Sequence, residues 1–423
     1  MLQVNFIKEN KARVLEGLAI RNFKDTHIVD EILKVDEERR EVLQQTEQLN
    51  AESNQLAKQI GDMYKSGKRE EAEVLKSRSG EIKESSKNLQ LKLSELSILL
   101  DGFLKQIPNT PNLLVPGGKS DEDNEEIFRN ADMPVLGEDA IPHWELAKKY
   151  NLIDFDLGSK ITGAGFPVYL GKGARLQRAL INYFLDYNAE SGYKEVLPPL
   201  MVNEASGIGT GQLPDKEGQM YHVTKDDLYL IPTAEVPVTN IYRDVIVQEE
   251  ELPIKMTAYT PCFRREAGSY GSHVRGLNRL HQFDKVEVVQ ITKPEDSYNT
   301  LDSMVKHVEV LIQNLGLPYR ILRLCGGDLG FTSAITYDFE IYSAAQERWL
   351  EVSSISNFET YQANRLKLRY RSKDKKTQLC HTLNGSSLAL PRILAGILEN
   401  NQTTEGIKIP DVLKPYCGFD LIK

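Results

Sequence analysis

Within "TPCFRREAGSYG", residues 260 to 271, Arg264 and Arg265 stand beside Glu266, between an aromatic and a glycine. "HQFDKVEVV", residues 281 to 289, adds Phe283 and Glu287 on what its alternation predicts to be the next strand. Farther on, "LEVSSISN" holds Glu351 and Ser354, and "LNGSSLALPRILAGILEN" places Arg392 at the start of an apolar helix. Cations, an aromatic platform and a carboxylate–hydroxyl pair are the groups that in-line displacement at a phosphate requires. Fixed guanidinium groups stabilise charge on the phosphate oxygens, and Mg2+ takes a carboxylate and a hydroxyl while keeping water. An Arg-Arg-Glu run alone is more often a solvated, salt-bridged surface. The co-occurrence of these fragments points to phosphate chemistry.

Other nucleotide and catalytic signatures are missing. "LGKG" at 170 to 173 lacks the hydroxyl residue of a P-loop, and "GGKS" at 117 to 120 lacks its upstream glycine. "ASGIGTGQLP" is glycine-dense but does not sit between a strand and an amphipathic helix, so it reads as a mobile loop rather than a phosphate cradle. The seven histidines, His143 and His281 among them, show no triad or ligand spacing and read as structural. Cys262, Cys325, Cys380 and Cys417 have no C-x-x-C spacing, which argues against a disulfide framework or a structural zinc site.

The elements that must position the chemical groups divide the chain in two. Ile28, Ile32, Val35, Val42, Leu49, Leu56 and Ile60 form an apolar stripe, with Arg39, Thr46 and Ser53 in intervening slots. A second stripe runs Leu75, Ile82, Leu89, Leu93, Leu96, Leu100, Phe103 and Ile107, interrupted by Ser79 and Ser86. "GDMYKSGKREEA" between them, with Gly61 and Gly67, predicts a reversal and hence an antiparallel helical hairpin. Each arm would reach roughly 50 Å at about 1.5 Å per residue, which predicts that the hairpin projects. Prolines 108, 111 and 116 with Gly117 and Gly118 mark a boundary, giving a helical domain over 1–110 and a second domain over 111–423. In the second, helical patterns alternate with short β-rich runs without strict strand–helix order. The expected fold class is α+β: an antiparallel sheet flanked by helices, preceded by the coiled-coil hairpin.

With 423 residues and 40% hydrophobic content the chain has material for two cores. The N-terminus lacks an apolar signal region and no run reaches the roughly 18 apolar residues of a membrane span, so a cytoplasmic protein without a membrane partner is expected. The net charge of -9 argues weakly against a general nucleic-acid binder, although a local basic patch on an acidic protein can still hold a polyanion.

On these fragments the chain resembles the class II aminoacyl-tRNA synthetases, and specifically the seryl-tRNA synthetase family. "GYKEVLPPLMV" at 192 to 202 looks like motif 1, "FRREAGS" at 263 to 269 like motif 2, and the segment around Arg392 like motif 3. "TAEVPVTN" at 233 to 240 is similar to the seryl-specific segment and "GTGQLP" to a seryl-type loop, while the hairpin is similar to the arm this family lays on its tRNA. The signatures of class I synthetases are not seen, and nothing matches the zinc site of the atypical seryl enzymes.

The resemblance implies a homodimeric ligase that joins L-serine to tRNA(Ser) through a seryl-adenylate, with ATP and Mg2+, and that also serves tRNA(Sec) where an organism has one. Carried over residue by residue, it makes Arg264 and Arg392 catalytic. Arg264 would grip the ATP α-phosphate and the serine carboxylate, with Arg265 beside it in the ATP site. Glu266 would meet the adenine edge, Phe283 would stack on the base, and Arg392 would hold the γ-phosphate or cover the opposite face. Leu280 would contribute backbone contacts, and Glu351, Val352, Ser353 and Ser354 would complete the ATP site, Glu351 and Ser354 as Mg2+ ligands. Thr233, Ala234, Glu235, Glu287, Asn384 and Ser386, with Arg264, would bind serine. Ser387 stands where many relatives have glycine, which would alter how the backbone near Ser386 approaches the substrate. Two rivals remain: a silent RNA-binding relative, which would have lost Arg264, Arg392 or Glu351, and an amino acid:carrier-protein ligase, which would lack the arm.

Overall fold

The computed structural model describes residues 1–130, 133–137, 139–215, 217–266 and 274–423. The end of the motif 2 segment, Ala267, Gly268 and Ser269, lies outside the described residues. The chain forms two compact units, one of residues 1–19 and 23–108, the other of 20–22 and 109–423.

The first unit is built on α1 (Ile28–Lys65) and α2 (Arg69–Gln106), 38 residues each and so about 57 Å long at the usual rise. The apolar stripes face each other. Ile28, Ile32, Val35, Val42 and Leu56 on α1 and Ile82, Leu96 and Leu100 on α2 are buried. Thr46, in one of the polar slots, is buried too and donates its hydroxyl to Val42 O at 2.7 Å, so the slot costs no unpaired group. The chain reverses over 66–68, later than the spacing of Gly61 suggests. Gly61 lies inside α1, whereas Gly67 takes the positive φ of +77° that the turn demands.

The core of the second unit is an eight-stranded sheet. Its strands are β1 (Glu125–Arg129), β2 (Lys194–Glu195), β3 (Ile254–Phe263), β4 (Gln282–Thr292), β5 (Tyr319–Arg323), β6 (Ile335–Ser343), β7 (Arg348–Asn357) and β8 (His381–Ala389), in the order β1-β5-β6-β7-β8-β4-β3-β2. Every pairing is antiparallel except the edge contact of β2 with β3. The expected antiparallel sheet flanked by helices is therefore what forms.

One face of the sheet is covered by α3 (Gly171–Glu190), α4 (Ser297–Asn314) and α5 (Leu390–Asn400). Leu176, Leu180 and Phe184 of α3, Met304, Val308 and Leu311 of α4, and Ile393, Leu394 and Ile397 of α5 share a core with Val286, Val288, Phe339, Ile341, Ile355 and Leu383 of the strands. Pro391 sits in the first turn of α5, where its missing N–H would have had no helical partner. That start fixes Arg392 at the helix N-terminus. The opposite face of the sheet carries the polar residues singled out from the sequence.

Candidate active site

Strand register gathers these residues onto one face. Glu287 of β4 lies opposite Ser386 of β8, Asn384 lies opposite Ser356 of β7, and Ser354 lies opposite Asp338 of β6. Phe283 and Lys285 share the face with Glu287 by simple alternation. Glu351 and Ser354 would not share a face in a regular strand, being three residues apart. A bulge resolves this: Phe339 pairs with Ser353 and Glu340 with Glu351, so Val352 is an extra residue and both Glu351 and Ser354 emerge beside Asp338 and Glu340. Val352 itself is buried in the main core, and the Ser353 hydroxyl donates to Ser386 O at 2.6 Å. Neither side chain faces the site, so of these two residues only the backbone borders it.

At the β3 end, the Arg264 guanidinium carbon lies 5.4 Å from the centre of the Phe283 ring, and its Nε donates to Pro232 O at 3.3 Å. The backbone of Arg264 is fixed by His281, whose O accepts Arg264 N–H at 2.9 Å and whose Nδ1 lies 3.1 Å from Arg264 O. Arg265 extends over Tyr221, and Glu266, at a φ of +47°, pairs with Arg279 at 2.5 Å. Leu280 is buried in the main core. Arg392 reaches across from α5, donating from Nε to Asn278 O at 3.0 Å and from Nη1 to Glu351 O at 2.8 Å.

The acidic corner fits a divalent cation. Asp338 is half-buried, its Oδ1 is closed off from solvent with no hydrogen-bond partner, and desolvation followed by the nearby Glu351 charge pushes its pKa well up. A cation relieves both conditions. Among the described residues no three His, Cys, Asp or Glu side chains converge as a self-sufficient metal cage. That pattern suits Mg2+, which takes one or two carboxylates and fills its shell with substrate phosphate and water.

The serine-pocket candidates are also together. Thr233, Glu235, Glu287, Asn384 and Ser386 are all buried, as is Ala234, which packs into a separate cluster with Val289 and Ala258. Thr233 Oγ1 lies 3.3 Å from Glu287 Oε2, and Gln362 Nε2 donates to Glu235 Oε1 at 2.6 Å. Burial, then the charge of Glu287, pushes the Glu235 pKa up to about 7. Ser387 turns away from this face and donates to Asn188 Oδ1 at 3.0 Å.

Several neighbours of these candidate residues escaped the sequence. Lys285 forms a 2.5 Å ion pair with Glu287, although alternation along "FDKVEVV" places the two on one face. Asp338, Gln362 and Asn278 carried no motif. "ASGIGTGQLP" is not a loop over its first half: Glu204–Thr210 is helical, capped by the Asn203 side chain and by Gly211 at a φ of +95°. Asn203 and Gly211 are the signal that pattern offered.

Comparison with known proteins decides the family. Residues 220–401 match the tRNA synthetase class II core domain (G, H, P, S and T), and residues 1–111 match the seryl-tRNA synthetase N-terminal domain. The chain belongs to the seryl-tRNA synthetase family. It is 49% identical to the serine–tRNA ligase of Salinibacter ruber, covering 99% of this chain and 98% of the relative. The seryl-tRNA synthetase of Pyrococcus horikoshii, solved with ATP, superposes with a TM-score of 0.93 at 34% identity, over 100% of this chain and 99% of that one. The cytoplasmic serine–tRNA ligase of Naegleria fowleri, solved with AMP, gives 0.88 at 27% identity, with coverage of 100% and 99%. As a seryl-tRNA synthetase the chain is a class II ligase, and both rival readings fall.

Proposed function

We propose that the enzyme joins L-serine to tRNA(Ser) in two steps on the polar face of the sheet. In the first, a serine carboxylate oxygen attacks the α-phosphorus of ATP, the bond to the β-phosphate oxygen breaks, and pyrophosphate leaves with a seryl-adenylate formed. In the second, a ribose hydroxyl at the tRNA end attacks the acyl carbon and AMP leaves. The carboxylate is ionised at neutral pH, so the first step needs no base from the protein.

The observation that carries this reading is the arrangement of Arg264 beside Phe283 at one end of the face and Arg392 at the other, with the Thr233, Glu235, Glu287 pocket next to the first. Arg264 orients the α-phosphate against the serine carboxylate, with Arg265 flanking it; Glu266 reads the adenine edge, Phe283 and the Leu280 backbone hold the base, and Arg392 meets the outer phosphates. When Mg2+ is bound by Glu351 and Ser354, it offsets phosphate charge. Asn384 and Ser386 take the serine hydroxyl, which makes rejection of alanine strong because its absence leaves buried polar groups unpaired.

We extend the proposal to a homodimer, to a cytoplasmic location and to tRNA(Sec) where it exists. Leu197, Leu200 and Met201 in the motif 1 segment are exposed just beyond the edge strand β2, which supports a dimer interface there. No helix among the described residues is long and apolar enough to cross a membrane.

Exchange of labelled pyrophosphate into ATP across the twenty amino acids, followed by charging of tRNA(Ser), tests the whole reading. Exchange that depends on serine, followed by serylation, is expected. Exchange that prefers another amino acid would overturn it.

A further inference from the structure

His143 is fully buried, at the start of the helix His143–Lys149, and its two ring nitrogens do different work. Nε2 accepts the backbone N–H of Leu277 at 2.8 Å. That partner is a donor only, so Nε2 is the bare nitrogen and Nδ1 carries the proton, which it gives to Glu399 Oε1 at 2.6 Å. The same oxygen accepts His143 N–H and Gln346 Nε2, both at 2.9 Å, and Oε2 accepts the Ser343 hydroxyl. Gln346 in turn accepts Asn278 Nδ2 at 2.8 Å. Segment 275–279 is thus held at Leu277 and Asn278 by one buried network rooted in α5 and β6. Arg275 adds an ion pair to Glu145 at 3.1 Å and lies over Trp144. The approach is too close for any side chain on Gly276: a Cβ there would lie 2.2 Å from His143 Nε2.

What this segment holds is the nucleotide end of the site. Asn278 O is the acceptor that fixes Arg392 Nε, and Arg279 pairs with Glu266. The serine pocket, formed by Thr233, Glu235, Glu287, Asn384 and Ser386, has no hydrogen bond to the network among the described residues.

We infer that His143 is a positioning residue for ATP: as a neutral acceptor toward Leu277 it fixes the peptide that aims Arg392 and Glu266. This rests on the nucleotide site proposed above. The three-atom reach of the side chain makes the idea testable. In His143→Gln the terminal amide overlays Nε2 and its oxygen can still accept from Leu277. In His143→Asn the amide overlays Nδ1, keeping the bond to Glu399 but losing Leu277.

The expected result is an ATP KM in the exchange reaction raised about tenfold or more for His143→Asn, with a serine KM within about twofold of the parent, because small misplacements of a charge-stabilising group are costly. His143→Gln should recover most of the loss. Gln346→Met cuts the same network from its part-buried side and should give a smaller change confined to ATP. Melting temperatures establish that each variant is folded. Equal behaviour of the Gln and Asn variants, or ATP and serine constants that move together, overturns the inference and leaves His143 as core packing. ATP binding by calorimetry gives the same readout without turnover, so the inference is tested even if the amino acid proves not to be serine.

Discussion

Arg264 shows how much one side chain is asked to do. Its guanidinium is held over Phe283 and by Pro232 O, so in the proposed mechanism its orientation is fixed before phosphate charge develops. Arg264→Ala should lower exchange by a factor of about 10² to 10³ while the protein stays folded, the usual worth of one fixed donor aimed at a developing charge. Near-normal exchange would remove it from the mechanism. Glu287→Gln should raise the serine KM far more than the ATP KM, since it loses both the ammonium partner and the pairing with Lys285. Equal shifts would make Glu287 a structural residue. Glu235 adds a pH signature. Unfolded, its carboxyl ionises near the ordinary 4.5; folded, burial and Glu287 hold it protonated to about 7. The folded chain keeps the extra proton in that window, so this group's contribution to stability is present at low pH and is lost as pH rises through 7. An ammonium favours the ionised form, so serine should bind more tightly from pH 6 to 8 and release protons on binding. Glu235→Gln should flatten that dependence in calorimetry, and an unchanged profile would show that Glu235 does not face the ammonium.

At the scale of the element, the bulge at Val352 brings Glu351 and Ser354 beside Asp338 and Glu340, the corner proposed for the cation. It also explains what was legible beforehand. Heptad stripes, the strand alternation in "FDKVEVV" and the family motifs identified both helical arms and the antiparallel sheet and named the candidate residues of the site, because each is a local pattern. Asp338 was invisible: its relevance depends on which residue of β7 lies opposite, and the one-residue shift that settles this leaves no mark in a single sequence. Gln362 and His143 were missed for the same reason, since their partners are 127 and 256 residues away. The unpartnered Oδ1 of Asp338 leads to a further expectation. Asp338→Asn should raise the Mg2+ concentration for half-maximal exchange by roughly tenfold, the usual cost of a lost outer partner at a metal site. Calorimetry of Mg2+ with the ATP-loaded enzyme checks it apart from turnover, and an unaltered Mg2+ requirement would separate Asp338 from the cation.

For the whole molecule, none of the candidate ATP and serine residues belongs to the unit that contains the helical hairpin. The basic residues near the reversal have acidic neighbours on the hairpin: Lys65 with Asp62, Lys68 with Glu71, Lys76 with Glu73, Arg78 with Glu52 and Glu81. Pairs this exposed exchange readily for a phosphate and are screened by salt. Replacing residues 35 to 100 by a short glycine linker should leave serine-dependent exchange largely intact and lower serylation of tRNA by orders of magnitude. Loss of exchange in a folded protein would contradict the division of labour, and full charging would remove the hairpin from tRNA recognition. The uninterrupted phase of the two stripes has one more consequence. The hairpin can change length only in matched steps: seven residues inserted into α1 and seven into the facing stretch of α2 keep every buried residue in register and add about 10 Å of reach. Seven added to one helix alone leave a turn with nothing opposite it, and four added to each rotate the stripes apart. The length of the hairpin is thus graduated in heptads, and it can take only a whole number of them.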